Sequence, residues 1–223
     1  MTISLVVLAA IMAIVVGWLW RQTLNVKPWL ARGPMENSQG ESAFSIPPVK
    51  LGLGVFLTVA TSLFALLISA YFMRSMTGDW APLAVPRVLW LNTAVLILSS
   101  AAMHWTQAAA RGGRVDGVKN GRTAAGLFTL TFLAGQLWAW QQLNASGDVV
   151  AANPANAFFY LLTALHGLHL LGGLWVWGTT TAKVWFGVEA GKVRLSVELC
   201  AMYWHYLLLV WLILFALLLH KST

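Results

Sequence analysis

Charge is what this sequence has least of. Asp, Glu, Lys and Arg make up 9% of its 223 residues, where a soluble domain carries about a quarter. Hydrophobic residues make up 59% and fall in long runs. That pattern excludes a soluble fold with a large core and indicates an integral membrane protein. Cysteine is nearly missing. The single Cys200 excludes an internal disulfide and a thiolate metal cluster, and it reads as a small apolar residue on a membrane helix. No internal repeat, low-complexity tract, nucleotide-binding loop or nucleophile–base pair occurs, so nothing resembles a catalytic centre able to act by itself. The formal charge of +7 does not indicate a nucleic-acid partner. Its basic residues sit between the apolar runs, where topology signals belong.

What is present is six apolar stretches, at residues 3–20, 51–72, 88–108, 123–140, 157–179 and 198–220. Each approaches the roughly 20 residues that cross about 30 Å of hydrocarbon at 1.5 Å per residue. Their apolar residues do not alternate, which excludes a β-barrel, so the backbone must satisfy itself within helices. The first stretch has no basic residue before it and no small-residue cleavage site after it, and ends in Trp18, Trp20 and Arg21. It is expected to be a retained helix rather than a signal peptide. Eleven basic residues fall on one side of the expected membrane: Arg21, Lys27, Arg32, Lys50, Arg111, Arg114, Lys119, Arg122, Lys183, Lys192 and Arg194. Three fall on the other, Arg74, Arg87 and Lys221. The positive-inside rule then places both termini outside. The expected fold is an all-α integral membrane protein of six transmembrane helices. Residues 1–21 form an N-terminal helix, 22–50 a Pro- and Gly-containing cytoplasmic linker, and 51–223 a five-helix bundle.

The candidate chemistry is a set of titratable side chains at membrane depth. His166 and His169 are three apart and share a helix face. Given the orientation above, His104, His169, Glu198 and His205 all fall in the inner half of the bundle. Intramembrane ionisable groups normally face protein or a wet cavity. They either handle protons or hold helices together by hydrogen bonds worth about 0.6–2 kcal/mol each, and the structural role is preferred. The competing enzyme reading is an independent haem or metal site using His166, His169 and His205, with His169 and His205 as a bis-imidazole pair. A di-iron site needs several glutamates, and Glu198 alone lies in a span. A transporter would show a repeat or a broken-helix pair, and the sequence offers neither.

Gly167, Gly172, Gly173 and Gly178 are expected to let neighbouring helices approach span five closely. Of the thirteen tryptophans, six lie near span ends, Trp18, Trp20, Trp80, Trp90, Trp138 and Trp140, and read as an interfacial belt. Trp204 and Trp211 lie within the last span, where contact with lipid or a partner subunit is expected. Arg74, Arg87 and Arg111 sit at helix ends, where they either bind lipid phosphate or snorkel to the interface.

Several stretches have a familiar wording. FFYLLTALHGLHLLGG (158–173) and VELCAMYWHYLLLVWLILF (197–215) resemble the last two helices of subunit III of the haem–copper oxidases. PPVKLGLGVFL (47–57), ISAYFMR (68–74), WLNTAVLILSSAAM (90–103) and Gly135-Gln136-Leu137-Trp138 with Trp140 follow in family order, so the resemblance covers about residues 47–223. It implies a non-catalytic accessory subunit of a respiratory terminal oxidase in the bacterial inner (plasma) membrane. Such a chain holds no cofactor; haem and copper belong to its partner subunits I and II. It packs on subunit I, binds structural phospholipids, supports proton uptake while oxygen is reduced to water, and can meet other respiratory complexes. A cytochrome c oxidase is preferred over a quinol oxidase or a nitric oxide reductase complex. The family occurs in five- and seven-helix forms, and this chain has five plus one. Where the family often carries acids, this chain has Ala60, Ala139 and Leu208.

Overall fold

The computed structural model describes residues 48–81, 85–147, 153–185 and 190–220. The first apolar stretch, the linker as far as residue 47, and Lys221 lie outside the described residues. Five α-helices follow in order: α1 Pro48–Arg74, α2 Val88–Arg111, α3 Val115–Ala145, α4 Pro154–Trp185 and α5 Ala190–His220. No strand forms among the described residues. The segments Val49–Arg74, Val88–Arg111, Pro154–Ala182 and Arg194–His220 are long and apolar enough to cross a membrane.

Each helix is longer than the apolar run that announced it. An apolar run marks the part of a helix that sits in hydrocarbon, and polar turns continue the same hydrogen-bond ladder beyond it. The clearest case is α3, which begins at Val115 rather than near 123 and runs for 31 residues. It does not reach the hydropathy of the other four. Arg122, Thr129 and Gln136 recur at every seventh position on its buried face, so much of its polarity is enclosed by neighbouring helices.

Residues 1–72 and 73–223 form two compact units. In the first, the described helix α1 turns its hydroxyls back on its own backbone. Thr58 donates to Gly54 O at 2.9 Å, Thr61 to Leu57 O at 2.7 Å and Ser62 to Thr58 O at 3.0 Å. That return bond spares the hydroxyl a search for partners in an apolar medium.

In the second unit, α2–α5 close into a four-helix ring. α2 packs on α3 and α5, and α4 packs on α3 and α5. α2 and α3 form a tight hairpin because α2 ends in a Schellman motif. Arg114 N–H donates to Ala109 O at 3.0 Å and Gly113 N–H to Ala110 O at 3.3 Å, with Gly113 in the left-handed region at φ 67°. At the opposite end, Asn153 holds the chain that leads into α2. Its Nδ2 donates to Ala81 O at 2.6 Å, its Oδ1 accepts from Ala155 N–H at 3.0 Å, and Trp80 lies 6.3 Å from the ring of Phe158 on α4.

Candidate functional site

The interior of α2–α5 is organised by indole N–H groups donated across helix boundaries. Trp204 on α5 donates to Ser99 Oγ on α2 and Thr129 Oγ1 on α3, at 3.1 Å each. Those hydroxyls lie 2.8 Å apart, and each is within hydrogen-bond reach of Ala125 O. Trp211 donates to Thr93 Oγ1 at 3.0 Å, whose own proton returns to Leu89 O at 2.8 Å. Trp140 does the same with Thr163 at 3.1 Å, and Thr163 returns to Phe159 O at 2.7 Å. A hydroxyl bonded to the carbonyl one turn back keeps a lone pair. Tryptophan fills it with a donor and fills the space with a ring. The expectation that Trp204 and Trp211 touch lipid or a partner subunit is therefore corrected. They are 2% and 0% exposed, because their seven-residue spacing places both on the face of α5 that looks into the ring.

Arg122 is a second correction. It reads in the sequence as an inner-loop charge, yet it lies within α3 and is wholly buried. Its Nε donates to Thr181 Oγ1 at 3.0 Å and its Nη2 to Trp177 O at 2.6 Å. Trp177 Nε1 donates back to Arg122 O at 3.1 Å, and the guanidinium lies 6.0 Å from the centre of that ring. Gly126, one turn further along α3, supplies the room for Trp177, since a Cβ there would lie 2.3 Å from the indole. The guanidinium suits this position because its planar fork reaches two acceptors at once and is weakly hydrated for a cation. Removing Arg122 from the topology count leaves ten basic residues against three, so the bias survives. Of the span-five glycines, a Cβ added at Gly173 would lie 2.5 Å from the Tyr203 ring and one at Gly167 3.9 Å from Leu133, while one at Gly172 or Gly178 would meet nothing within 4 Å.

The histidines do not form one cluster. His166 is fully buried between Phe132, whose ring lies 5.9 Å away, and Trp211, at 5.2 Å. His169 keeps its Nδ1 on Leu165 O of its own helix at 2.8 Å, so Nδ1 carries the proton, and its backbone carbonyl accepts the Tyr203 hydroxyl at 2.9 Å. His205 packs its ring against His104 at 5.7 Å, with Ser100 Oγ 2.5 Å from its Nδ1. The pairing is thus His104 with His205, in place of the bis-imidazole pair of His169 and His205. Glu198 is half-buried, two turns before His205 on α5. Among the described residues, no three His, Cys, Asp or Glu side chains converge as a metal ion would require.

Of the arginines expected at lipid phosphate, Arg74 is ion-paired. Its Nη1 lies 2.6 Å from Asp79 Oδ1, and the Asp79 carboxyl, held by Arg74 and then by Thr77, is kept below the usual carboxylate range. Arg87 and Arg111 stay exposed at the two ends of α2, and Trp80 is half-buried.

The family model described as "Cytochrome c oxidase subunit III" matches residues 1–222 of this chain. The chain belongs to the cytochrome c oxidase subunit III family. Among its relatives, cytochrome c oxidase subunit 3 of Synechocystis sp. is 33% identical over 177 residues, covering 74% of this chain and 72% of that one. The subunit 3 of Thermostichus vulcanus is 31% identical over 176 residues, covering 75% and 85%. A probable cytochrome c oxidase subunit 3 of Nocardia farcinica is 29% identical over 178 residues, again covering 75% and 85%. A subunit III-type chain is an accessory subunit of a haem–copper oxidase in the respiratory chain, so association with subunits I and II follows from the family. The apolar helices and the bacterial relatives place it as an integral protein of the bacterial inner membrane.

Proposed function

We propose that this chain is the non-catalytic subunit III of a cytochrome c oxidase. It would be a bundle of six spans with both termini outside, which steadies subunit I, binds phospholipid and supports proton uptake during the reduction of oxygen to water. The family match along residues 1–222 carries this reading, and the relatives, themselves cytochrome c oxidase subunits, favour cytochrome c as the electron donor. The chemistry of the interior agrees with it. The indoles, hydroxyls and Arg122 are spent on ties between helices, a use suited to a scaffold. The exposed Arg87 and Arg111 are the positions from which phospholipid phosphate would be held. In the purified complex this chain is expected to travel with subunits that carry haem and copper, while the isolated chain is colourless. A Soret band or stoichiometric metal in the isolated chain would replace this reading with that of an independent metalloenzyme.

The finer part of the proposal concerns protons. His104 and His205 stand together, and Glu198 lies on the same face of α5, seven residues earlier. These groups would buffer protons beside the uptake side of subunit I. Glu198→Gln and His205→Phe complexes are expected to take up protons several-fold more slowly during turnover. Unchanged uptake with less of this chain retained would assign these side chains to assembly alone.

A further inference from the structure

Arg122 leaves one bond unmade. Its guanidinium is wholly buried, and Nε and Nη2 donate to Thr181 Oγ1 and Trp177 O. Both acceptors are neutral, and Nη1 has no hydrogen-bond partner among the described residues. An arginine keeps its charge on burial, so the enclosed cation calls for an anion or a further acceptor. Beside it lies the thiol of Cys200 on α5, itself buried. A thiol sulfur is only a weak acceptor. One oxygen atom on that sulfur would supply what Nη1 lacks. The position is close to a membrane surface. Cys200 lies six residues past Arg194, where the apolar part of α5 begins, about 9 Å along the axis. Local opening of the helix ends admits a molecule as small as hydrogen peroxide to that depth, while a bulky thiol is kept out.

We propose that Cys200 is a site of oxidation by hydrogen peroxide, and that Arg122 Nη1 holds the oxygen of the sulfenic acid so formed. The sulfur attacks one peroxide oxygen, so that an S–O bond forms and the O–O bond breaks. Sulfur is oxidised by two electrons, and the other peroxide oxygen leaves as water after taking the thiol proton. The guanidinium favours the attack, because the thiolate is the nucleophile and a neighbouring cation stabilises it. It also favours the product, because an oxygen accepts from Nη1 better than sulfur does. The sulfenic acid does not go on to a disulfide within the chain, since Cys200 is its single cysteine. The added oxygen turns the two ties that Arg122 makes to α4 into three, the third reaching α5.

The test uses the full chain in detergent, treated with sub-millimolar hydrogen peroxide and then unfolded in dimedone, which captures sulfenic acid for peptide mass spectrometry. Thermal unfolding of the treated chain is followed in parallel by circular dichroism. A near-stoichiometric adduct at Cys200 and a midpoint several degrees above that of the untreated chain are expected. Cys200→Ser should show neither change on treatment, while the exposed Met73 and Met76 oxidise alike in both chains. Cys200→Asp sets an oxygen acceptor before Nη1 without any oxidation, and should unfold at or above the midpoint of Cys200→Ala. Oxidation of Met73 and Met76 with Cys200 left reduced would overturn the modification site. An adduct without the rise in midpoint would overturn the part given to Nη1. So would a Cys200→Asp chain that fails to fold, or unfolds below Cys200→Ala, since its carboxylate would then be buried without the cation beside it.

Discussion

Gly126→Leu should be among the most damaging single substitutions in α3. A Cβ at this position would lie 2.3 Å from Cζ2 and 2.6 Å from Cη2 of Trp177, well inside contact distance. The indole cannot turn away cheaply, because its N–H is donated to Arg122 O at 3.1 Å. Moving it also disturbs the bond from Arg122 Nη2 to Trp177 O, and the arginine is wholly buried. Overpacking costs about 1–3 kcal/mol, and loosening a buried hydrogen bond to a charged group adds about 1.5–3 kcal/mol. The gain in helix propensity on losing a glycine is about 1 kcal/mol, too small to offset both. A net loss of about 3 kcal/mol corresponds to roughly 6–12 °C in a domain of this size. Thermal unfolding in detergent, followed by helical circular dichroism, measures it. Gly172→Leu is the control, because nothing lies within 4 Å of a Cβ there and its midpoint should stay near that of the unaltered chain. Equal midpoints for the two variants would remove the α3–α4 clamp from the account.

The helices were legible because long apolar runs leave the backbone little alternative in a bilayer, and each of the five described helices contains one of the apolar runs read from the sequence. What hydropathy could not reveal is where polarity is enclosed. Arg122 sits in a stretch of loop-like composition, and its burial depends on Trp177 and Thr181, 55 and 59 residues away. A local signal did exist, since Arg122, Thr129 and Gln136 repeat at seven residues, as do Val197, Trp204, Trp211 and Leu218. Such a period marks a helix face turned toward other helices. The histidines divide along the same line. Their three-residue spacing places His166 and His169 on neighbouring positions of α4, but which one meets Phe132 and Trp211 is decided by how α3 and α5 pack. The contact of His104 with His205 joins residues about a hundred positions apart, and shared depth made it conceivable without selecting it.

Trp204→Ala should cost more than any other truncation in the ring, and Trp204→Phe far less. Trp204 is 2% exposed and reaches across from α5 to both α2 and α3. Truncation to alanine opens a cavity that three rigid helices cannot collapse to fill, and losses of about 3–5 kcal/mol are usual for a buried tryptophan. In a membrane the hydrophobic driving force between helices is missing, because lipid is as apolar as leucine. The loss is therefore chiefly one of van der Waals contact and should fall near the lower end of that range. Phenylalanine keeps most of the ring and forfeits the N–H. Ser99 and Thr129 still bond to each other at 2.8 Å and still reach Ala125 O, so no donor is stranded and the cost should be about 1 kcal/mol. Unfolding in detergent of Trp204→Ala, Trp204→Phe and Trp175→Ala separates the cases. Trp175 is 77% exposed, and its truncation should change little. If Trp204→Ala behaved like Trp175→Ala, the indole would belong on the lipid side of α5 after all. If Trp204→Phe matched Trp204→Ala in cost, the hydrogen bonds rather than the packing of the ring would be what holds α2, α3 and α5 together.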